Sequence, residues 1–311
     1  MVELAPGVRR ATLPLPLGID HVHVYFLRSG DGSWTLVDTG LGLADPESGW
    51  APLLAELDGP VERIVVTHFH PDHVGGAADV AALTGATVFQ GALDYAQCLR
   101  VWGGEPSTRV TDFMHSHGYP AGEPVETRVG GAALTSRVRM ARDPVLLTAG
   151  DHVDGWEVLQ LPGHADGHIV LFRDGTLVAG DVVLAHISPA VGLYPDCRPD
   201  PLADYLGSLA RLEELAPRIA FAGHHEPIAD PAARARDLRA HHGERLERTA
   251  GLLGPQARNA YAVSLDLFPE PLPPGQRRFA LAETLAHLEY LVARDGVVRV
   301  ERGEGPLYAR R

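Results

Sequence analysis

The chain contains one stretch that decides its fold, Thr67-His68-Phe69-His70-Pro71-Asp72-His73, which places three imidazoles and a carboxylate within six positions. It follows the apolar run Ile64-Val65-Val66, which is typical of a buried strand. Two imidazoles one residue apart on an extended backbone point to the same side, so His68 and His70 can face one cation. An open α/β sheet binds ligands at such a strand end. The stretch therefore predicts a metal site, and a His-rich surface loop is the alternative.

Three later strand ends carry the same kind of residue. An apolar strand ends near a glycine and a ligand-type side chain comes next, as in Leu161-Pro162-Gly163-His164, Ala179-Gly180-Asp181 and Ala222-Gly223-His224. Glycine lets the backbone turn sharply and approach other groups closely. Four strand ends that deliver His or Asp predict one site along one edge of a sheet. A single helix is predicted to follow the first of them, over residues 72–83.

A known family shares these residues. The chain resembles the metallo-β-lactamase-fold hydrolases in residues that occur in the same order along the sequence: His68-Phe69-His70-Pro71-Asp72-His73, His164, Asp181 and His224. Val37-Asp38-Thr39-Gly40 resembles an early strand-end motif of that family, and residues 162–168 resemble its Pro-Gly-His-x-x-Gly-His element. The resemblance covers roughly residues 8–230. It implies an α/β fold, a four-layer αβ/βα sandwich with a binuclear metal site between its two sheets.

The resemblance also implies the metal ligands. They form two groups: His68, His70 and His164 for one metal, and Asp72, His73 and His224 for the other. Asp181 would bridge both metals together with a water or hydroxide. The retained Asp72 and Asp181 resemble the two-metal branches of the family, such as glyoxalase II, lactonases and nuclease-like members, more than true β-lactamases. Nitrogen and oxygen donors of this kind favour two Zn²⁺ ions, with Fe or Mn as alternatives.

The last ligand motif departs from the family pattern. It reads Gly223-His224-His225-Glu226-Pro227, where the family more often has glycine after the histidine. This leaves His225 as an alternative ligand. His224 is favoured because it directly follows the glycine, as the motif requires.

Four further polar residues lie outside the ligand set. Asp38 ends a strand at a glycine-containing turn and is expected to support a ligand histidine. His168 is expected to have a supporting role, and His186 is a candidate to face the pocket. His242 fits no spacing pattern and is expected at the surface.

The C-terminal sequence predicts a second, smaller unit. Residues 282–291, followed by Asp295-Gly296-Val297-Val298, resemble the winged-helix-like tail of a subgroup that includes mitochondrial endoribonuclease-like proteins and polyketide-releasing thioesterases. We therefore predict a catalytic domain over residues 1–230 and a small winged-helix-like α+β module over residues 231–311. Residues 92–142 match no family motif and are predicted to form a helical, lid-like insertion.

Composition excludes several classes of protein. The chain has 311 residues, 45% of them hydrophobic, and no apolar run long enough to span a membrane. It lacks a signal-peptide pattern, and Cys98 and Cys197 form no disulfide framework, which together predict a reducing cytoplasm. All 27 basic residues are arginine, which excludes a Schiff-base lysine and a P-loop lysine.

The charge distribution indicates which class of substrate or binding partner the protein favours. The net charge is −13, although residues 232–311 carry 13 Arg against 10 acidic residues. Most of the surface would therefore repel a long polyanion. A small-molecule substrate is favoured over nucleic acid, and the C-terminal module is expected to serve packing or homodimer formation.

These observations together predict a binuclear metal-dependent hydrolase. Its expected substrate is a thioester, lactone or other activated ester, attacked by a metal-bridging hydroxide. Asp72 and Asp181 are the expected catalytic carboxylates, since Asp72 could also take a proton from the nucleophile. Two alternatives are a metal-dependent phosphodiesterase or ribonuclease and a non-catalytic metal-binding module.

Overall fold

The N-terminal strands pair in chain order and form the first of two sheets. The computed structural model describes residues 1–16, 18–104, 108–123, 125, 135–303 and 305–311. The first sheet contains, in spatial order, β1 (Val2–Ala5), β2 (Val8–Pro14), β3 (His21–Arg28), β4 (Trp34–Val37), β5 (Val61–Val66), β6 (Thr87–Gly91) and β7 (Val145–Leu147). Pairing is antiparallel from β1 to β4 and parallel from β4 to β7.

The second sheet is built from the strands that carry the later ligand residues. Its spatial order is β12 (Ile219–Ala222), β11 (Thr176–Gly180), β10 (Ile169–Arg173), β9 (Trp156–Gln160) and β8 (His152–Val153). Only the pairing of β11 with β12 is parallel among these described strands. Parallel neighbours require a crossover connection, and here a long helix supplies it.

Helices cover both sheets. Within the described residues they are α1 (Pro46–Ala55), α2 (Pro71–Val74), α3 (Ala77–Thr84), α4 (Ala92–Trp102), α5 (Arg109–Ser116), α6 (Pro201–Leu215), α7 (Pro231–Gly251), α8 (Ala260–Leu267) and α9 (Pro274–Val292). Asp45, Asp200 and Asp230 cap α1, α6 and α7, and a proline follows each of them at the first helical position. None of the described helices is both long and apolar enough to cross a membrane.

Apolar residues on the two faces of each sheet create the layers. Val37 and Val65 of the first sheet pack against Ile169, Val178 and Phe221 of the second. The opposite face of the first sheet packs against α1 and α3, and the opposite face of the second sheet packs against α6 and α7. The order helix, sheet, sheet, helix confirms the predicted four-layer sandwich.

The C-terminal residues form helices and a hairpin. β13 (Val297–Arg302) pairs antiparallel with β14 (Gly305–Arg310). Leu281 and Leu285 of α9 pack with Tyr308 of β14, and Met114 of α5 belongs to the same apolar cluster. The C-terminal region and part of the 92–142 segment therefore share one core.

The predicted lid is described only in part. Residues 105–107, 124 and 126–134 lie outside the described residues. The helices α4 and α5 agree with the predicted helical character of the segment, and the backbone N–H of Tyr261 bonds to the carbonyl of His117 at 3.1 Å. This contact ties the end of α5 to the C-terminal region, and a lid function stays a prediction.

Two local predictions are wrong. The helix predicted over residues 72–83 is interrupted at Gly75 and Gly76, where a Cβ would lie within 3.0 Å of the carbonyl oxygens of Gly40 and Thr39. That close approach of two backbones requires glycine and separates α2 from α3. His242, expected at the surface, is fully buried.

Candidate metal centre

The predicted ligands converge at one edge of the two sheets. β5 ends at Val66, and His68 and His70 lie on the extended segment that follows it. Pro71 then starts α2, a short helix that carries the next two candidates. All seven predicted ligands belong to groups whose donor atoms lie within 4.8 Å of one another: His68, His70, Asp72, His73, His164, Asp181 and His224.

The first group consists of three imidazoles. His68 Nε2 lies 3.0 Å from His70 Nδ1, and His164 completes the group from the second sheet. The ring centroids of His70 and His164 are 4.5 Å apart and nearly perpendicular. Three nitrogen donors in this arrangement match the first ligand group that the sequence predicts.

Asp181 lies between the first and second groups. Its Oδ2 atom is 3.5 Å from His73 Nε2, 3.3 Å from His224 Nε2 and 3.8 Å from His164 Nε2. Asp72 Oδ2 lies 3.4 Å from the same His224 nitrogen. One carboxylate oxygen thus faces imidazoles from both groups.

Three of the candidate imidazoles are held from behind through their Nδ1 atoms. His73 Nδ1 bonds to Asp38 Oδ2 at 2.8 Å, and His224 Nδ1 bonds to the backbone carbonyl of His21 at 2.7 Å. His164 Nδ1 bonds to the carbonyl of Ala190 at 2.8 Å. These bonds fix the tautomer and turn each Nε2 atom toward the centre, as partners of metal ligands usually do.

Three buried polar atoms at the centre lack a hydrogen-bond partner within the part of the chain that the structure describes. Among the described residues, Nε2 of His73, Nε2 of His164 and Oδ1 of Asp181 are buried and accept or donate no hydrogen bond. Buried polar atoms are almost always paired. Unpaired nitrogen and oxygen donors that face each other fit divalent metal ions such as Zn²⁺.

The electrostatics of the second group favour positive charge. Burial opposes a charge on His224, but Asp181 and Asp72 outweigh it and raise the pKa of this imidazole to about 10. Burial likewise opposes charge on His73, yet Asp181 and Asp38 hold its pKa well above the usual value. The buried carboxylates therefore attract a cation to this place, either a proton or a metal.

The structure separates His224 from its neighbour. His224 points at Asp181, whereas His225 has a left-handed backbone (φ 64°) and its ring lies 5.2 Å from that of His186. His186 is mostly exposed and pairs with Glu226 at 2.5 Å. His225 and His186 therefore belong to an outer rim, and neither joins the central cluster.

His168 supports the cluster from below. Its Nε2 atom accepts a hydrogen bond from the backbone N–H of Asp181 at 3.1 Å, and its ring stacks on His68 with centroids 4.5 Å apart. The ring is fully buried. His168 thus holds two candidate ligands in place, which agrees with a supporting role.

Asp94 was missed by the sequence reasoning. Its carboxylate accepts hydrogen bonds from the backbone N–H of Phe69 at 2.9 Å and from Gln90 Nε2 at 2.6 Å. Trp102 Nε1 donates to the carbonyl of Phe69 at 2.8 Å. The helix α4 therefore clamps the segment between His68 and His70, and an isolated Asp after a strand gave no signal for this role.

Comparisons with known proteins identify the family of the chain. Residues 17–224 match the Metallo-beta-lactamase superfamily, and residues 246–308 match the Metallo-beta-lactamase-like, C-terminal domain. The chain belongs to the metallo-beta-lactamase superfamily. As a superfamily member with metallo-hydrolases among its relatives, it is a metal-dependent hydrolase.

The relatives of this superfamily member include curated proteins and solved structures. A probable metallo-hydrolase of Bacillus subtilis is 29% identical over 309 residues, 94% of each chain. A hydroxyacylglutathione hydrolase of Alkalilimnicola ehrlichii is 28% identical over 203 residues, 63% of this chain and 62% of that protein.

Two solved structures match along the whole chain. A metallo-beta-lactamase family protein from Thermus thermophilus has a TM-score of 0.86 and 39% identity, and covers 99% of this chain and 100% of its own. A beta-lactamase domain protein from Burkholderia ambifaria has a TM-score of 0.88 and 31% identity, and the match covers 100% of this chain and 94% of that protein. The likeness to these two structures thus includes the C-terminal helices and hairpin.

Proposed function

We propose that this protein is a binuclear metal-dependent hydrolase of a thioester or another activated ester. The observation that supports the proposal is the position of Asp181, whose Oδ2 atom lies within 3.8 Å of imidazole nitrogens from both ligand groups. A shared carboxylate between two sets of imidazoles is suited to two ions rather than one.

The residues that would hold the metals are the seven predicted ones. Nitrogen and oxygen donors favour Zn²⁺, with Fe or Mn as alternatives. When bound, two such ions would supply Lewis acidity toward the acyl oxygen and make a water molecule more acidic. The protein itself contributes fixed ligand orientation, through Asp38, Ala190 and His21 behind the rings.

Asp72 is the proposed proton acceptor. Although burial disfavours its charged form, His73 and His224 lower its pKa to about 2, so the carboxylate is ionised at neutral pH. In a thioester, the water oxygen would add to the acyl carbon, the carbon–sulfur bond would break, and Asp72 would take the water proton. That proton would then pass to the departing thiolate.

Charge pairing argues for a small acyl substrate over RNA. Arginines of the C-terminal region are paired with acidic residues: Arg245–Glu283, Arg258–Asp266, Arg294–Asp200 and Arg299–Glu289. Paired arginines give little free charge for phosphates, and the net charge is −13. The hydroxyacylglutathione hydrolases among the relatives carry a thioester substrate in their name. The reducing cytoplasm is the proposed location, which suits the free thiols of Cys98 and Cys197.

A substrate panel on metal-loaded protein tests the proposal. It would contain acyl-glutathione and acyl-coenzyme A thioesters, lactones, a chromogenic phosphodiester and a short RNA. We expect thioester or lactone cleavage by the wild type and its loss in Asp72→Ala. The matched control is Asp112→Asn, an exposed carboxylate on α5 bonded to Thr108.

Three outcomes decide between the alternatives. Thioester or lactone cleavage lost only in Asp72→Ala supports the proposal. Cleavage of the phosphodiester or RNA alone would establish the phosphodiesterase alternative and overturn the acyl substrate. Equal activity in the wild type and Asp72→Ala would show that the proposed proton acceptor is wrong.

A further inference from the structure

Two buried histidines connect the helices α7 and α9. His242 Nδ1 lies 3.2 Å from His287 Nε2, and their rings are stacked with centroids 5.4 Å apart. Both side chains have no exposed surface. Buried histidines away from a catalytic centre need a structural or positioning reason, because burying polar atoms costs free energy unless they are bonded.

The partners of the pair set the direction of its hydrogen bonds. His287 Nδ1 donates to the carbonyl of Glu283 at 2.7 Å, so its Nε2 is left to accept from His242 Nδ1. His242 Nε2 then accepts from the Ser188 hydroxyl at 3.3 Å, although the carbonyl of Pro189 lies at the same distance from that hydroxyl. Burial lowers the pKa of His242 to about 3 and that of His287 to about 4, so both rings are neutral near pH 7.

A third metal at this place is less favoured. His242, Glu283 and His287 do lie close enough to hold an ion. However, Glu283 is already paired with Arg245, whose charge would oppose a metal. The ring nitrogens here are also all bonded, whereas His73 and His164 at the metal centre have unpaired nitrogens among the described residues. Hydrogen bonding alone therefore explains why His242, Glu283 and His287 lie close together.

Ser188, His242 and His287 form a chain of hydrogen bonds, and its Ser188 end lies close in sequence to the group that holds a candidate metal ligand. Ser188 belongs to the support segment, defined here as residues 182–193. Two positions further on, the carbonyl of Ala190 accepts the hydrogen bond from His164 Nδ1 at 2.8 Å. Among the described hydrogen bonds of His164, the one to this carbonyl is the bond that turns His164 Nε2 toward Asp181.

The support segment is fastened at several points to the helices that follow it. Arg234 of α7 donates to the carbonyls of Leu184 at 2.8 Å and Ile187 at 2.9 Å. At the other end, the backbone N–H of Leu193 bonds to the carbonyl of Ala282 in α9 at 3.0 Å. Ser188 lies between these anchors, so its bond to His242 fixes the middle of the segment.

We propose that Ser188, His242 and His287 are positioning residues for the metal centre: the hydrogen-bonded chain holds Ala190 in place and so makes the orientation of His164 depend on α7 and α9. The inference rests on the proposed metal binding by His164. In this proposal the C-terminal helices influence the metal centre without contacting the substrate directly.

Cobalt binding tests the proposal independently of activity. The full-length protein would be freed of metal, titrated with Co²⁺ against a chelator, and followed by visible absorption of the bound ion. We expect Ser188→Ala and His242→Phe to weaken Co²⁺ binding by about tenfold, the low end of the effect of losing a ligand's own partner. The absorption spectrum should shift as His164 reorients, and Ser188→Thr, which keeps the hydroxyl, should restore both properties.

Matched controls separate positioning from general damage. His241→Phe changes the adjacent imidazole, whose Nε2 atom has no hydrogen-bond partner among the described residues. It should leave Co²⁺ affinity and spectrum unchanged. His242→Phe removes a buried polar group and can impair folding. If that variant does not fold, Ser188→Ala, at the half-buried end of the hydrogen-bond chain, tests the proposal alone.

The outcomes are distinguishable. Wild-type Co²⁺ affinity and spectrum in a folded Ser188→Ala protein would overturn the positioning role. An equal loss in His241→Phe would overturn it too, because the effect would then reflect helix packing. If His164→Ala binds as many Co²⁺ ions as the wild type, with the same spectrum, the proposed metal site itself fails and the inference falls with it.

Discussion

Asp38 Oδ2 lies 2.8 Å from Nδ1 of His73, in a buried ion pair on the far side of the ring from the metal centre. The same carboxylate accepts hydrogen bonds from the backbone N–H and the hydroxyl of Thr67, each at 2.8 Å. Asp38 has a left-handed backbone (φ 61°), which its short polar side chain tolerates. One residue thus fixes both the start of the ligand segment and one of its rings.

Replacement of Asp38 tests this support. In Asp38→Asn, one carboxylate oxygen becomes an amide that donates instead of accepting, so a bond to Thr67 or His73 is lost. We expect metal affinity to fall by about 10–100-fold, the usual effect of losing such a partner. Calorimetric titration with Zn²⁺ measures it, with Asp112→Asn as control. Unchanged affinity would show that Asp38 does not orient His73.

The position of Asp181 between the two ligand groups predicts a change in metal stoichiometry. Removal of its carboxylate in Asp181→Ala takes away the oxygen that faces both ligand groups. We expect the bound metal to fall from two equivalents to one or fewer, as measured by elemental analysis of dialysed protein. Retention of both equivalents would contradict the bridging role. Circular dichroism would show that the fold is kept.

Asp94 predicts a pH-dependent stability. Burial raises its pKa from the usual 3.8 to about 7, so between these pH values the folded protein keeps a proton that the unfolded chain has lost. The contribution of Asp94 to stability therefore falls as pH rises through this window, by up to roughly 4 kcal/mol. Asp94→Asn stays neutral over the same pH range.

Urea unfolding in the presence of a chelator measures this effect. The free energy of unfolding of Asp94→Asn minus that of the wild type should be larger at pH 8 than at pH 5, because only the wild type loses stability as pH rises. Comparison between the two proteins cancels the titration of other groups. An identical difference at both pH values would contradict the raised pKa of Asp94.

Gly223 predicts a steric block of the centre. A Cβ at this position would lie 2.4 Å from Asp181 Oδ1 and 2.6 Å from His73 Cε1. Gly223→Ala should therefore reduce metal binding by at least tenfold, since both ligand side chains must move. Gly207→Ala is the control, because its Cβ would meet nothing within 4 Å and alanine favours the helix α6. Equal metal binding by the two variants would contradict the steric argument.

The strand ends were predictable because their signal is local. An apolar run followed by glycine and a ligand-type residue is visible in the sequence at His164, Asp181 and His224, and the sheet brings these ends together. Asp38 was predictable for the same reason, since it ends β4 at a glycine-containing turn.

The remaining features depend on contacts between distant segments. The carbonyl of Ala190 orients His164, but backbone carbonyls are the same at every position and leave no trace in a sequence. His242 was expected at the surface because no motif surrounds it, and its burial follows from the packing of α7 on α9. Asp94 likewise acts on Phe69 only once α4 folds back on the ligand segment.

The shared core of α5 and the C-terminal hairpin has a consequence for biosynthesis. Met114 and Tyr119 pack against Tyr308, which emerges from the ribosome long after both sheets have been translated. Domains generally fold in order of synthesis. The apolar side chains of this part of the 92–142 segment can therefore complete their core only after the hairpin has been synthesised.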